Sequence, residues 1–263
     1  MNTVSRHWPE YLIEGTLLGL FMVSACAFTI LLEHPASPIS RAIPEPFMRR
    51  LLIGVAMGLT AIALIYSPIG RRSGAHMNPS LTLTFLRLGK IERRDALFYV
   101  ASQFVGGVGG VTLVAIVAGM LAGDPSVRFA ATTPQPGGLE QAFVAELLIS
   151  FFLMSLVLVV SNSRRLAPFT GLLCGALVAS YIMVEAPLSG MSMNPARSFA
   201  SALAAENWTG LWIYFTAPPL GMLMASEVYL RLRGANRVFC AKLSHPSNGG
   251  CIFHCNHRAL MEV

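Results

Sequence analysis

Two segments of this chain are apolar, too short to cross a bilayer, and opened by the same residues at the same spacing. Ser73-Gly74-Ala75-His76-Met77-Asn78-Pro79-Ser80 leads into residues 81–88. Ser189-Gly190-Met191-Ser192-Met193-Asn194-Pro195-Ala196-Arg197 leads into residues 198–205. At about 1.5 Å of rise per residue, a helix of ten residues covers roughly 15 Å, half of a hydrocarbon layer about 30 Å thick. Proline suits the first helical turn, where its missing N–H would be unpaired anyway, and asparagine before it is a favoured cap. One Asn-Pro marks an ordinary helix start. Two of them at the same offset from Ser-Gly, each opening an apolar segment that cannot span, mark a repeated structural device.

The rest of the chain supplies the membrane for that device. Apolar residues make up 54% and charged residues only 12% of 263, too few charges to clothe a water-exposed globule. Six runs are long enough to span, at about residues 11–32, 51–69, 96–122, 141–160, 167–187 and 211–230. The first follows a short polar N-terminus and reads as a retained helix, not a cleaved leader. Three spans per half is an odd number, so the second copy enters from the opposite face. The predicted fold is an all-α membrane protein with six transmembrane helices and two re-entrant half-helices in an inverted repeat. The channel domain is expected over residues 11–232, in halves of about 11–122 and 140–232, between an N-terminal segment 1–10 and a tail 233–263. Of the Lys and Arg residues, only Arg41, Arg49, Arg50, Arg128 and Arg197 fall outside if the N-terminus is inside. That bias puts both termini in the cytoplasm and explains the net charge of +6 without a nucleic-acid partner.

Non-helical backbone at membrane depth persists only where protein or water pairs its polar groups. The carbonyls of residues 74–77 and 190–193 can therefore line a water-filled path. Each half-helix N-terminus carries about half a positive charge, and two of them meeting at mid-membrane oppose cations. The amides of Asn78 and Asn194 can donate to a passing water and fix its orientation, which breaks a proton wire. Arg197, a charge within a membrane segment, is functional by default. Glu14 and Glu146 occupy matching places in the two halves.

With both signatures present, the sequence resembles the aquaporin, or major intrinsic protein, family over roughly residues 10–232. The first signature departs from that family's Asn-Pro-Ala by ending in Ser80, where the family residue mainly packs the half-helices together. The resemblance implies a passive channel for water, with small uncharged solutes possible, and a homotetramer in lipid with one pore per subunit. It implies that Glu14 and Glu146 accept hydrogen bonds from the re-entrant loops, that His76 lines the pore, and that Arg197 stands at the outer constriction. Counting back from each Asn by family spacing adds Gly58, Ile182 and Met191 to that filter, with Met57 or Tyr181 entering on a one-residue shift.

The solute is contested between these positions. The aromatic and histidine usual in strict water filters are missing at Gly58 and Ile182, which points to a wider glycerol-type facilitator. Ser198, Ala202 and the Tyr214-Phe215 pair point back to water. An ion-coupled secondary transporter also uses inverted repeats and broken helices, but beyond Glu14, Glu146, Glu185, Arg197 and Glu227 the spans carry no charges to bind a coupling ion. No nucleophile–base pair or phosphate loop suggests an enzyme, and no cofactor is expected of the channel itself.

The tail lies outside the resemblance. It holds Cys240, His245, Cys251, His254, Cys255 and His257. Cys240, Cys251, Cys255 and His254 are the candidate ligands for a zinc ion. A solvated or locally packed tail with free thiols is the alternative, since disulfides are rare in the cytosol.

Overall fold

The computed structural model describes residues 3–245 and 251–262, so positions 1–2, 246–250 and 263 of the terminal segments lie outside the described residues. Among the described residues every regular element is helical. The first half runs through α1 (Thr3–Glu33), α2 (Pro38–Ala42), α3 (Pro46–Tyr66), α4 (Pro68–Ser73), α5 (Pro79–Arg87) and α6 (Arg93–Ala122). The second runs through α7 (Leu139–Ser161), α8 (Thr170–Val184), α9 (Ala186–Ser189), α10 (Pro195–Ala205) and α11 (Leu211–Arg233), with α12 (His257–Glu262) in the tail. The helices over Arg6–Glu33, Pro46–Tyr66, Arg93–Ala122, Leu139–Ser161 and Ala167–Val184 are long and apolar enough to cross a membrane. The sixth predicted span, α11, matches them in length at 23 residues but is diluted by Pro218, Pro219 and two arginines in its last turn.

Local chemistry sets the breaks between these helices. Pro46 opens α3 behind Glu45, whose carboxylate accepts from the Phe47 N–H at 3.2 Å. Ser67 ends that helix and caps the next, its hydroxyl accepting from the Gly70 N–H at 2.9 Å ahead of Pro68. The second span is therefore shorter than its apolar run, and the remainder turns back toward the bilayer interior as α4.

Packing follows the inverted repeat. Helix α1 lies along α6, and its counterpart α7 lies along α11. The half-helix α10 packs on α6 of the other half, while α5 packs on α11, so each half closes over the other's half-helix. Between the halves, α3 runs against α8. These contacts are made by small residues, as expected where lipid removes any hydrophobic force between helices. A Cβ on Gly58 would fall 2.5 Å from the Gly175 carbonyl oxygen and 3.0 Å from Ala179 Cβ. On the outer face Val105, Ile116, Val117 and Met120 are more than 70% exposed, an apolar surface that suits hydrocarbon.

This seam gives a direct test. Gly58→Val should force α3 and α8 apart at a cost of about 1–3 kcal/mol or more. We expect thermal melting in detergent, followed by size-exclusion chromatography, to fall by several degrees. An unchanged melting curve would mean that the seam is looser than described.

Candidate functional site: a cavity between two re-entrant loops

The half-helices α5 and α10 present their N-termini to one another at the centre of the bundle. Each asparagine caps its own helix and reaches across to the other. Asn78 Oδ1 accepts from the Ser80 N–H at 2.8 Å, while its Nδ2 donates to the Met193 carbonyl at 2.7 Å. Asn194 Oδ1 accepts from the N–H groups of Ala196 and Arg197 at 3.1 and 3.2 Å, and its Nδ2 donates to the Met77 carbonyl at 2.7 Å. An amide nitrogen carries two hydrogens. The cross-loop bond uses one on each residue, and the other remains for the cavity that both residues line.

The loops that deliver these asparagines are strained in the same way. Gly74 and Gly190 take left-handed conformations with φ of 103° and 82°. So do Ala75 and Met77 (55° and 48°) and, at the equivalent places, Met191 and Met193 (52° and 55°). For residues with a Cβ this costs about 1–2 kcal/mol each. Two fully buried carboxylates offset that cost. Glu14 Oε1 accepts from the Ser73 hydroxyl (2.8 Å) and the His76 N–H (3.0 Å), and its Oε2 from the Met77 N–H (2.7 Å) and Gln103 Nε2 (3.0 Å). Glu146 Oε1 accepts from the Ser189 hydroxyl and the Ser192 N–H, both at 2.7 Å, and its Oε2 from the Met193 N–H at 2.7 Å. Tyr99 and Tyr214 donate their hydroxyls to the carbonyls of Ser73 and Ser189. Those tyrosines escaped the sequence reading, although each lies about 25 residues after its serine, and superposing the two halves of the sequence would have found them.

A cavity of about 440 Å³ runs past these loops. Ile182, Met191, Arg197 and His76 line it, together with the two capping asparagines. Gly58 does not. It is buried in the α3–α8 seam because its missing side chain lets the backbones touch, and the neighbouring Met57 turns to the cavity instead. Arg197 lines the cavity, and its Nη1 is buried without a hydrogen-bond partner among the described residues. Arg50 and Arg128 line the same distal part. Arg128 was not expected there, because it sits in the long connection between halves. Tyr214 and Phe215, weighed above as solute determinants, do not line the cavity: Tyr214 anchors its loop and Phe215 is 42% exposed on the outer side. Ser198 is spent on hydrogen bonds to the hydroxyls of Thr132 and Ser192.

The opposite, proximal mouth lies on the side of Glu10, Lys90 and Asp95, and there the tail is neither solvated nor merely packed on the surface. Residues 238–243 are each 5% exposed or less. Leu243 lines the cavity and donates its N–H to the Gly74 carbonyl at 3.1 Å. His76 Nε2 donates to the Ala241 carbonyl at 2.8 Å, while Phe253 stacks on the His76 ring at 5.4 Å. His76 therefore contacts the tail as well as the cavity. Among the candidate zinc ligands, Cys240, Cys251 and Cys255 come together, but His254 does not join them. It bonds the Gly89 carbonyl at 2.9 Å and Glu92 at 2.7 Å instead, and these two acceptors, the carbonyl foremost, raise its pKa above the usual histidine value. His245 takes its place beside the thiols.

A family model described as major intrinsic protein matches residues 5–229. The chain belongs to the major intrinsic protein family. Aquaporin NIP1-2 of Arabidopsis thaliana is 34% identical over 186 residues, which is 69% of this chain and 62% of that protein. Aquaporin NIP2-2 of Zea mays is 34% identical over 219 residues, 82% of this chain and 72% of that one. The chain thus spans a little under two thirds of the first relative's length. The aquaglyceroporin of Plasmodium falciparum has the same fold, with a TM-score of 0.63 at 20% identity over 87% of this chain and 96% of that one. As a member of this family the protein is an integral membrane protein with an aquaporin-like fold, and the family is one of channels rather than enzymes. The tail lies beyond the residues that the family model matches.

Two variants probe the loop supports. Glu146→Ala strands the Ser192 and Met193 N–H groups and the Ser189 hydroxyl in a buried site, each at about 1–3 kcal/mol. We expect it to misfold or melt far below the parent, with Glu146→Gln falling between. Ser80→Ala removes a buried hydroxyl that has no partner among the described residues. It should raise the melting temperature slightly, since an unpaired buried hydroxyl costs about 1 kcal/mol or more. A drop would mean that Ser80 has a polar partner.

Proposed function

We propose that this family member is a passive channel that carries water and small uncharged solutes and rejects ions and protons. The observation that carries the reading is the reciprocal pair of bonds from Asn78 to Met193 and from Asn194 to Met77. Those bonds hold two positive helix ends together with a spare amide hydrogen at each. A water that accepts from both asparagines keeps its own hydrogens pointed outward, toward either mouth. Water molecules on the two sides are then oriented oppositely, and a proton cannot hop through the centre. Arg197 adds a second positive barrier on the distal side. Both termini are read as cytoplasmic, which makes the Arg197 side the outer one. A homotetramer with a pore in each subunit is the assembly that family membership favours.

Solutes larger than water form a second reading, and one observation favours it. Met57, Ile182 and Met191 line the cavity near Arg197 with flexible or aliphatic side chains, where an aromatic ring and an imidazole would make a narrower and more polar opening. A carbon-bearing polyol can lay its apolar face against such side chains and its hydroxyls on Arg197.

Stopped-flow light scattering on proteoliposomes tests both readings. The parent should shrink in sucrose several-fold faster than empty liposomes, with no dependence on pH or sodium gradients. Arg197→Ala should speed re-swelling in glycerol by removing a large side chain from the distal part of the cavity. Shrinkage no faster than empty liposomes in folded protein, under the chelating conditions described below, would exclude a channel. Flux driven by an ion gradient would instead indicate a coupled transporter.

A further inference from the structure

The tail departs from the inverted repeat, and it carries a constellation that the pore has no use for. Leaving α11, the chain turns at Gly234, with φ of 80°. It then enters the proximal mouth, pinned by the Phe239 N–H on Asn162 Oδ1 at 2.7 Å. It returns beside itself, the Asn256 N–H meeting the Phe239 carbonyl at 2.7 Å and the His254 N–H meeting the Lys90 carbonyl at 3.0 Å. Between these two passes lie Cys240, His245, Cys251 and Cys255, with one ligand atom from each inside a span of 4.8 Å. Cys240 Sγ is 3.6 Å from Cys251 Sγ, and Cys255 Sγ is 3.2 Å from His245 Nε2.

Three thiols and an imidazole at these separations suit a tetrahedral ion. With sulfur about 2.3 Å and nitrogen about 2.0 Å from zinc, ligand atoms at tetrahedral angles stand roughly 3.5–3.8 Å apart. Soft thiolates select zinc-class ions over magnesium or calcium. Four protein ligands fill the coordination shell and leave no open position, the mark of a structural site.

Position gives such an ion a consequence. Cys240 adjoins Ala241, whose carbonyl takes the His76 ring, and His245 follows Leu243 by two residues. Phe253, between the other two cysteines, stacks on His76 and Tyr99. An ion bound by all four would staple together the two passes of chain that meet the cavity at the proximal mouth. We propose that Cys240, His245, Cys251 and Cys255 bind one zinc-class divalent cation per chain, and that this ion holds the tail in the proximal mouth as a closed gate. Binding releases the three thiol protons to solvent, and removal of the ion returns them. The gating half rests on the channel reading above, whereas the metal half does not.

The test uses the full chain, reduced, desalted and equilibrated with zinc chloride. Elemental analysis should find about one zinc per chain in the parent and at least tenfold less in Cys251→Ser and Cys255→Ser. Cobalt in place of zinc should give the visible absorption of a tetrahedral thiolate complex. In proteoliposomes, chelation should raise water permeability several-fold. Leu243→Asp, which puts a carboxylate where an apolar side chain now closes the mouth, should conduct equally with and without zinc. Zinc content equal in parent and cysteine variants overturns the site, as does a Cys240–Cys251 disulfide in protein that takes up no metal after reduction. Zinc bound at full stoichiometry with permeability indifferent to chelation overturns the gate. If neither chelated parent nor Leu243→Asp exceeds empty liposomes, the channel reading falls and takes the gate with it, while the zinc count still judges the site.

Discussion

In hydrocarbon a backbone N–H without a partner costs several kcal/mol, so a chain that leaves the helix at membrane depth must find a partner for each exposed group. Here the partner is a carboxylate. Glu14 and Glu146 take the N–H groups of His76 and Met77 and of Ser192 and Met193, all inside the bundle. That pairing lets Ala75, Met77, Met191 and Met193 hold left-handed conformations. Those conformations bring the two asparagines face to face. A buried charge would itself be expensive, but each carboxylate here is met by three or four donors, and charge-assisted bonds of that kind are about twice as strong as neutral ones.

The inverted repeat turns one local solution into a central cavity. Since each half-helix packs on the last helix of the other half, neither loop can be placed without its partner. The cross-loop bonds at Asn78 and Asn194 then fix the separation of the two helix ends. Small residues such as Gly58 and Gly175 let the halves approach closely enough for this. The result is a cavity lined by the capping asparagines, His76 and three arginines among aliphatic and methionine side chains.

Much of this was legible because it repeats. The Ser-Gly-x-x-x-Asn-Pro spacing located both loops and their caps, since backbone conformation and helix capping depend on local residues, while the role of Glu14 and Glu146 came from the family resemblance. Apolar run length located the spans, the diluted α11 among them. What could not be read depended on direction. Whether Gly58 or Met57 faces the cavity is a matter of about 100° of helix rotation, which the packing of α3 on α8 decides. Tyr214 and Phe215 adjoin in sequence, yet one anchors a loop and the other faces outward. In the tail, His254 stands apart from the three cysteines for a similar reason: it is adjacent to Cys255 in sequence, but consecutive side chains diverge, and the Gly89 carbonyl and Glu92 hold it elsewhere.

The two halves also differ at the equivalent positions His76 and Ser192, and the difference bears on why the tail meets the proximal end of the cavity. Ser192, in the second loop, turns its hydroxyl inward to the Asn194 carbonyl and to Ser198, and is satisfied within its own half. His76, in the first, is larger. Its Nδ1 is met by Thr82 at 3.0 Å, which leaves Nε2 and an aromatic face directed toward the proximal mouth. A buried imidazole N–H requires an acceptor. The Ala241 carbonyl supplies it, with Phe253 covering the ring. The family fold thus leaves a polar group at the proximal mouth that an added segment can satisfy. A serine at that position would have closed on itself and offered the tail nothing to bind.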